Sequence, residues 1–472
     1  MTGSVHAVRS FARSRGLPAA VVGSLAALCL LSACGGGGGG SHGAAGSTSS
    51  ASPVTALAPV TATPASEQLR WVVAELNASA TPSRAELAAH FSPAFLAEVP
   101  PKALVASLAD LAGQNLQIAR VLRSPGSHGD LALEAELTSP GGAAFDASIA
   151  VSATAPHLIV GLDFRLAAPT INSWSGVDAA LERLAPHASL YAGYAGGGEI
   201  HALNGTEAGA IGSAFKLYVL GALANAVEHG SVRWTTRLAI HERWKSLPGG
   251  DMRLDPAGAT FSLLHYAQQM ISVSDNTAAD HLIHRLGRNA VETQLVALGN
   301  HSVSRDEPFL TTRELFALKL AAPASLTRAY ANGGTAARTR LLARVDAFTP
   351  TLAEAAAWTA PRYISTLEWF ASAADLAHAI NRLEVESRRR GLAPLRQILA
   401  INPGIALNAQ TWSYVGYKGG SEPGVISTTW YLRRRDGRAF VLSIILNDPA
   451  GNISTVSEVS VAEAAVNLLA RS

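Results

Sequence analysis

The sequence predicts an α+β protein in which residues 171–472 form an antiparallel sheet with a helical layer, preceded by a small α+β domain. Three observations carry that expectation. Strand-like alternation occurs at both ends of the larger segment with helical spacing between, so strands far apart in the chain must meet in one sheet. In residues 66–168 helical runs come first and alternating runs follow. Hydrophobic residues make up 48% of the 472 residues and charged ones only 15%, enough apolar surface for two or three domains.

Residues 1–33 read as a signal peptide. Arg9, Arg13 and Arg15 supply a positive n-region, and the uncharged apolar run 17–31 is too short to span a bilayer comfortably. The run ends in Leu31-Ser32-Ala33-Cys34, which resembles a bacterial lipobox, so Cys34 is expected to carry lipid. Cys29 would leave with the signal, and no thiol then remains for a disulfide, a zinc site or a cysteine nucleophile. Residues 34–65, with six consecutive glycines, read as a flexible tether. These features place the protein in the cell envelope, lipid-anchored to a membrane. Without the three arginines, 37 basic residues become 34 against 35 acidic ones, a balance of −1 that argues against a nucleic-acid partner. The triplets Arg388-Arg389-Arg390 and Arg433-Arg434-Arg435 read as solvated faces.

In the 66–168 domain, helical spacing covers 67–76, 84–95 and 102–111, and alternation covers 116–122, 131–137, 144–151 and 158–164. Ser124-Pro125-Gly126 and Ser139-Pro140-Gly141-Gly142 mark turns. The pattern suggests a curved sheet wrapped on helices, carries no catalytic set and reads as accessory. The 171–472 domain opens with a hairpin, 189–194 and 199–203, joined through Gly196-Gly197-Gly198. Helical stretches follow, including 261–271 and 277–286, and strands 414–418, 426–433 and 439–446 close the domain. Asp436-Gly437 reads as a two-residue hairpin turn. In 338–403, Trp369-Phe370 and 376–383 read as helical, and this segment either caps the site or extends the helical layer.

Chemistry concentrates in three short motifs, Gly212-Ser213-Ala214-Phe215-Lys216, Ser274-Asp275-Asn276 and Lys418-Gly419-Gly420. A serine at a helix start is ordinarily a cap. Lys216 lies three residues on and shares its face. The apolar Leu217, Val219, Leu220, Leu223 and Ala224 bury that helix, and a buried lysine is costly unless it has a task. Burial and a second cation would lower its pKa until it could accept the Ser213 proton. Ser274 and Asp275 suit a helix cap as well as a proton relay. Lys418 ends a strand before the last hairpin, where an edge strand can line a cleft. In this order the three motifs supply what acyl transfer through a serine ester requires.

With Leu247-Pro248-Gly249-Gly250 and the run Ile271-Ser272-Val273-Ser274-Asp275-Asn276-Thr277-Ala278-Ala279, residues 171–472 resemble the serine β-lactamase and penicillin-binding-protein superfamily, closest to class A. The two-domain layout resembles clavulanate-cluster proteins and mycobacterial lipoproteins of that superfamily, whose N-terminal domain is isomerase- or cyclase-like, of cystatin/NTF2-like fold. The resemblance implies Ser213 as acylated nucleophile, Lys216 as its base or as the holder of a water that is, Ser274 as proton shuttle and Asn276 as partner of Lys216 and the substrate amide. It implies Lys418 as the cation for a substrate carboxylate, Gly419 and Gly420 as substrate-binding strand, and the Ser213 and Ser421 N–H groups as oxyanion hole.

Two departures stand out. Gly419 occupies a position where lactamases carry Thr or Ser, so a carboxylate-binding hydroxyl is missing unless Ser421 substitutes. Glu307, in Arg305-Asp306-Glu307-Pro308-Phe309-Leu310, is the candidate deacylation base, with a salt bridge or cap as the other reading, and Thr311 stands where the family has asparagine. His281 and His284 beside Asp280 fit a surface helix rather than a metal site, and no cofactor or metal is implied. Trp412, Tyr414 and Trp430 read as sheet packing, with one available to line the cleft. The expectation is a monomeric serine hydrolase acting on a β-lactam or related cyclic amide or ester. The alternatives are a D-Ala-D-Ala-type peptidase or esterase acting on peptidoglycan-like substrates, and a non-catalytic envelope binding protein.

Overall fold

The computed structural model describes residues 62–472 except 79, 110, 112–113, 124–130, 141–143, 168–170, 248 and 406. The signal segment, Cys34 and nearly all of the tether lie outside the described residues. The chain divides into two compact units, Met1–Thr170 and Ile171–Ser472.

In the first unit four helices, α1 (Pro64–Asn77), α2 (Arg84–His90), α3 (Pro93–Glu98) and α4 (Pro101–Ala109), precede strands β1 (Gln117–Arg123), β2 (Ala132–Thr138), β3 (Ala144–Val151) and β4 (Ile159–Leu166). Capping boxes start α1, through Thr63 and Ser66, and α2, through Ser83 and Glu86. The helix expected over 84–95 breaks after His90. Phe91 is extended, Ser92 caps α3, and Pro93 cannot continue a helix but suits its first turn. The strands form an antiparallel meander, and Phe145, Ala147 and Ile149 of β3 bury one face.

In the second unit helix α5 (Trp174–Leu184) leads into strands β5 (His187–Tyr194), β6 (Glu199–Leu203) and β7 (Ala208–Ala210). After a 3₁₀ turn, Gly212–Phe215, comes α6 (Lys216–Glu228), then the short pair β8 (Arg237–Ala239) and β9 (Thr260–Ser262). Next are α7 (Leu263–Ser272), α8 (Asn276–Leu286), α9 (Arg288–Ala297), α10 (Thr312–Phe316), α11 (Ala324–Ala331), α12 (Thr335–Val345) and α13 (Leu352–Ala356). The chain closes with β10 (Phe370–Ser372), α14 (Ala373–Glu386), α15 (Pro394–Ala400), β11 (Trp412–Glu422), β12 (Val425–Arg434), β13 (Ala439–Asn447) and α16 (Thr455–Arg471).

The main sheet is antiparallel, in the order β11-β12-β13-β5-β6, so the strands closing the domain sit beside those that open it. One face, with Tyr431, Val441 and Ile445, joins a core built from α6, α7, α8 and α14. On the other, Thr428 of β12 bonds Glu458 of α16 at 2.7 Å. Every residue of α6 from Lys216 to Ala224 is buried, so this helix is packed all round. No described helix is long and apolar enough to cross a membrane.

Several expectations need correction. Trp369-Phe370 is not helical: Phe370 begins β10, which pairs with β7, and Trp369 stacks on Phe215 with ring centroids 3.9 Å apart. The pairing satisfies the backbone of β7, directly before the nucleophile turn. Phe261 lies in β9, and Ser262 caps α7. The last hairpin has a three-residue loop: Arg434 N donates to Arg438 O at 2.7 Å, and Gly437 takes the left-handed position at φ +93°. Arg434 of the second triplet is half-buried, while Arg435 stays exposed as expected. Arg434 bonds Asp436 and the C-terminal end of α16, and Arg435 bonds Ala409 O.

Candidate active site

Ser213 sits in the 3₁₀ turn that enters α6 and is half-buried. Gly212 has φ +47°, a conformation glycine adopts without a Cβ penalty. The turn is held from three sides. Ile211 N donates to Trp369 O at 3.0 Å, and the Ser427 hydroxyl of β12 donates to Ile211 O at 2.6 Å. Asn447 of β13 clamps both backbone groups of Ala210, at 2.7 and 3.0 Å.

Lys216 is fully buried, and its Nζ lies within hydrogen-bond reach of four oxygens. These are Ser213 Oγ at 3.1 Å, Ser274 O at 2.5 Å, Ser274 Oγ at 3.1 Å and Asn276 Oδ1 at 2.6 Å. An ammonium carries three hydrogens, so it cannot serve four acceptors at once. When neutral it offers a lone pair, and the Ser213 hydroxyl becomes the donor. Burial pushes the Lys216 pKa down to about 7, against the opposing pull of Asp275 and Asp280.

The second motif reaches Lys216 from the loop between α7 and α8. Ser274 adopts φ +58°, unusual for a non-glycine residue, and its carbonyl and hydroxyl both meet Lys216. Asp275 fixes that turn. Its carboxylate accepts from Ala278 N at 2.7 Å, capping α8, and from Met252 N at 2.9 Å. Gly250 makes this approach possible, because a Cβ there would lie 1.9 Å from Asp275 Oδ2.

Lys418, on β11, is also buried. Its Nζ donates to Ser274 Oγ at 3.1 Å and to Gly419 O at 2.5 Å. Burial first, and then Lys216, push its pKa down. One unbroken chain thus links Ser213, Lys216, Ser274 and Lys418, drawn from positions up to 205 residues apart (418 minus 213). Beyond Lys418, β11 runs against the nucleophile turn. A Cβ on Gly420 would stand 2.2 Å from Ile211 O and 2.5 Å from Ser213 N, and one on Gly212 would stand 3.1 Å from Ser421 N. The backbone nitrogens of Ser213 and Ser421 are thus both at this close contact of strand and turn, where the expected oxyanion hole would form.

Glu307 is half-buried on the stretch before α10, and the four partners of Lys216 do not include it. Thr311 caps α10 in a capping box with Glu314, whose carboxylate also pairs with Arg288 at 2.8 Å. Asp280 accepts from Thr312 N at 2.7 Å and Arg313 N at 2.9 Å, and burial pushes its pKa up to about 7. His281 is buried rather than on a surface, and both ring nitrogens are engaged. Nδ1 bonds Thr277 O at 2.7 Å, and Nε2 accepts from His241 N at 2.9 Å. His284 stacks on Trp244. Trp412 and Trp430 are buried, and Tyr414 donates to Arg396 O at 2.8 Å, so these aromatics pack the sheet.

Some supporting residues carried no sequence signal. Trp369 behind the turn and Asn447 beside it become visible only once β10 and β13 are placed. A third group lies at the far end of β11. Buried Lys319, in a π-helical turn (Ala317–Ala321), binds Glu368 and Glu422 at 2.6 Å each. This ties down the residue after Ser421.

A family model described as the beta-lactamase enzyme family matches residues 176–470. A second, described as ORF 12 gene product N-terminal, matches residues 60–154. No curated protein matches the chain. Similar solved structures include a beta-lactamase from Sphaerobacter thermophilus, at 19% identity and TM-score 0.44, covering 63% of this chain and 96% of that one. PBP-A is similar at 16% identity and TM-score 0.43, covering 65% and 99%. A class A beta-lactamase from Mycobacterium abscessus is similar at 15% identity and TM-score 0.43, covering 62% and 97%.

Proposed function

The chain belongs to the beta-lactamase enzyme family, and on that premise we propose that it is a serine hydrolase forming an acyl-enzyme on Ser213 with a β-lactam or related cyclic amide or ester. The observation that carries this reading is the hydrogen-bonded chain Ser213–Lys216–Ser274–Lys418. Neutral Lys216 takes the Ser213 proton as Oγ attacks the carbonyl carbon, and the carbonyl oxygen gains charge between the Ser213 and Ser421 N–H groups. Removing one such donor typically costs about 10²–10³ in rate. As the C–N or C–O bond breaks, Ser274 Oγ passes a proton to the leaving group and is resupplied from the lysines it touches. Water then hydrolyses the ester and restores the Ser213 hydroxyl.

A second reading, a D-Ala-D-Ala-type peptidase, esterase or β-lactam-binding protein with slow deacylation, is favoured by Thr311, at the position where the family has asparagine, being committed to a helix cap. The match of residues 60–154 supports an accessory N-terminal domain and the two-domain layout. The Leu31-Ser32-Ala33-Cys34 sequence supports a lipid-anchored protein of the cell envelope. Intact mass spectrometry after benzylpenicillin or a fluorophosphonate tests the acyl-enzyme, and the absence of any adduct would leave a binding protein. Nitrocefin and p-nitrophenyl ester hydrolysis separate the two catalytic readings.

A further inference from the structure

Gly419 leaves the third motif without a hydroxyl of its own, and the structure gives a physical reason. A Cβ at 419 would stand 2.2 Å from the Tyr417 Oη and 2.9 Å from its Cζ. The phenol occupies the space that any larger residue at 419 would need. The ring also lies against Gly404, where a Cβ would come within 2.6 Å of it, and it packs on Trp430 at a 5.1 Å centroid distance. Trp430 is itself pinned by its indole N–H to Pro403 O at 2.9 Å. Two glycines and a tryptophan therefore fix the ring, so its hydroxyl is placed at little further entropic cost.

That hydroxyl is unengaged. No described protein group hydrogen-bonds Tyr417 Oη, yet it is not among the buried polar atoms that lack a partner, so solvent reaches it. It lies over Gly419, whose carbonyl accepts from Lys418 Nζ, and that amine also donates to Ser274 Oγ. The unpaired phenol thus lies over one residue of a sheet-edge strand whose carbonyl accepts from the Lys418 amine. Burial holds the phenol pKa well above its ordinary value, so it stays a neutral donor.

The geometry points to Tyr417 as a specificity-determining residue that, with Lys418, binds a carboxylate of the acyl donor. This rests on the acyl-enzyme reading above. The phenol would donate one hydrogen bond to a carboxylate oxygen. A hydrogen bond to a charged group corresponds to about 10- to 100-fold in binding or rate.

Tyr417→Phe keeps the ring in its slot and deletes only the donor. Acylation rates are measured with benzylpenicillin, which bears a carboxylate, and p-nitrophenyl acetate, which bears none. The ratio of the two rates is expected to fall at least about 10-fold in the variant. An unchanged ratio overturns the proposal, even if both rates fall together. A second arm uses Ser213→Ala, which cannot be acylated at that residue. Calorimetric binding of benzylpenicillin should weaken to the same degree when Tyr417→Phe is added, and equal affinity overturns the proposal. If wild type is never acylated but the second arm shows the loss, the acyl-enzyme reading has failed while the carboxylate site stands.

Discussion

Gly420→Ala perturbs the site through a single methyl group. Gly420 is not at positive φ, so backbone preference is not at issue and only space decides. The added Cβ would meet three backbone atoms, Ile211 O at 2.2 Å, Ser213 N at 2.5 Å and Ala214 N at 2.7 Å. Backbone cannot swing aside as a flexible side chain does, so β11 must part from the nucleophile turn. Lengthening the shortest contact to an ordinary packing distance takes about 1 Å, and a misplacement of that size in a reacting geometry costs on the order of 10²-fold. That corresponds to about 2.7 kcal/mol of barrier. The assay is the acylation rate with nitrocefin, accompanied by thermal unfolding. Gly416→Ala, on the same strand, is the control, since its nearest neighbours are the Tyr414 hydroxyl at 3.1 Å and Leu399 Cβ at 3.4 Å. An acylation rate for Gly420→Ala equal to that of wild type would refute the argument that close approach of these backbones builds the oxyanion site.

Other perturbations follow from the same geometry. With the Lys216 pKa near 7 and the neutral amine as base, acylation should rise about tenfold per pH unit below about 7 and level off above it. A flat profile between pH 5 and 9 contradicts that role. Asp275→Ala should cost about 1 kcal/mol of stability in urea as the α8 cap is lost, and should also slow acylation by releasing Ser274. Unaltered acylation would show that Asp275 is only a cap. Lys319→Met leaves Glu368 and Glu422 buried without their cation and should cost about 3–5 kcal/mol in urea unfolding. A loss below about 1 kcal/mol would mean that the carboxyl groups neutralise each other by sharing a proton.

The legible parts of the sequence were those in which local chemistry and tertiary structure agree. Period-two alternation located all four strands of the first unit and the five of the main sheet, most plainly where a strand buries one face, as β2 and β3 do. The spacing of Ser213 and Lys216 was readable because a helical turn decides it. Convergence with Ser274 and Lys418 was readable only through the resemblance, since no local rule brings such distant positions together. Trp369-Phe370 was misread because two adjacent aromatics carry no period. A three-residue strand that exists only by pairing with Ala208–Ala210 is invisible without its partner. Arg434 was read as solvated because a charge run does not disclose which carbonyls lie nearby. The reason for Gly419 was likewise hidden: it depends on a tyrosine two residues away, on the same strand face.

The intact mass of the protein after incubation with benzylpenicillin, compared between wild type and Ser213→Ala, tests the acyl-enzyme most directly. The expected result is a mass increase of one benzylpenicillin in the wild type, mapping to the peptide that contains Ser213, and none in the variant. A wild type that stays unmodified, or a variant that gains the same adduct, would contradict it.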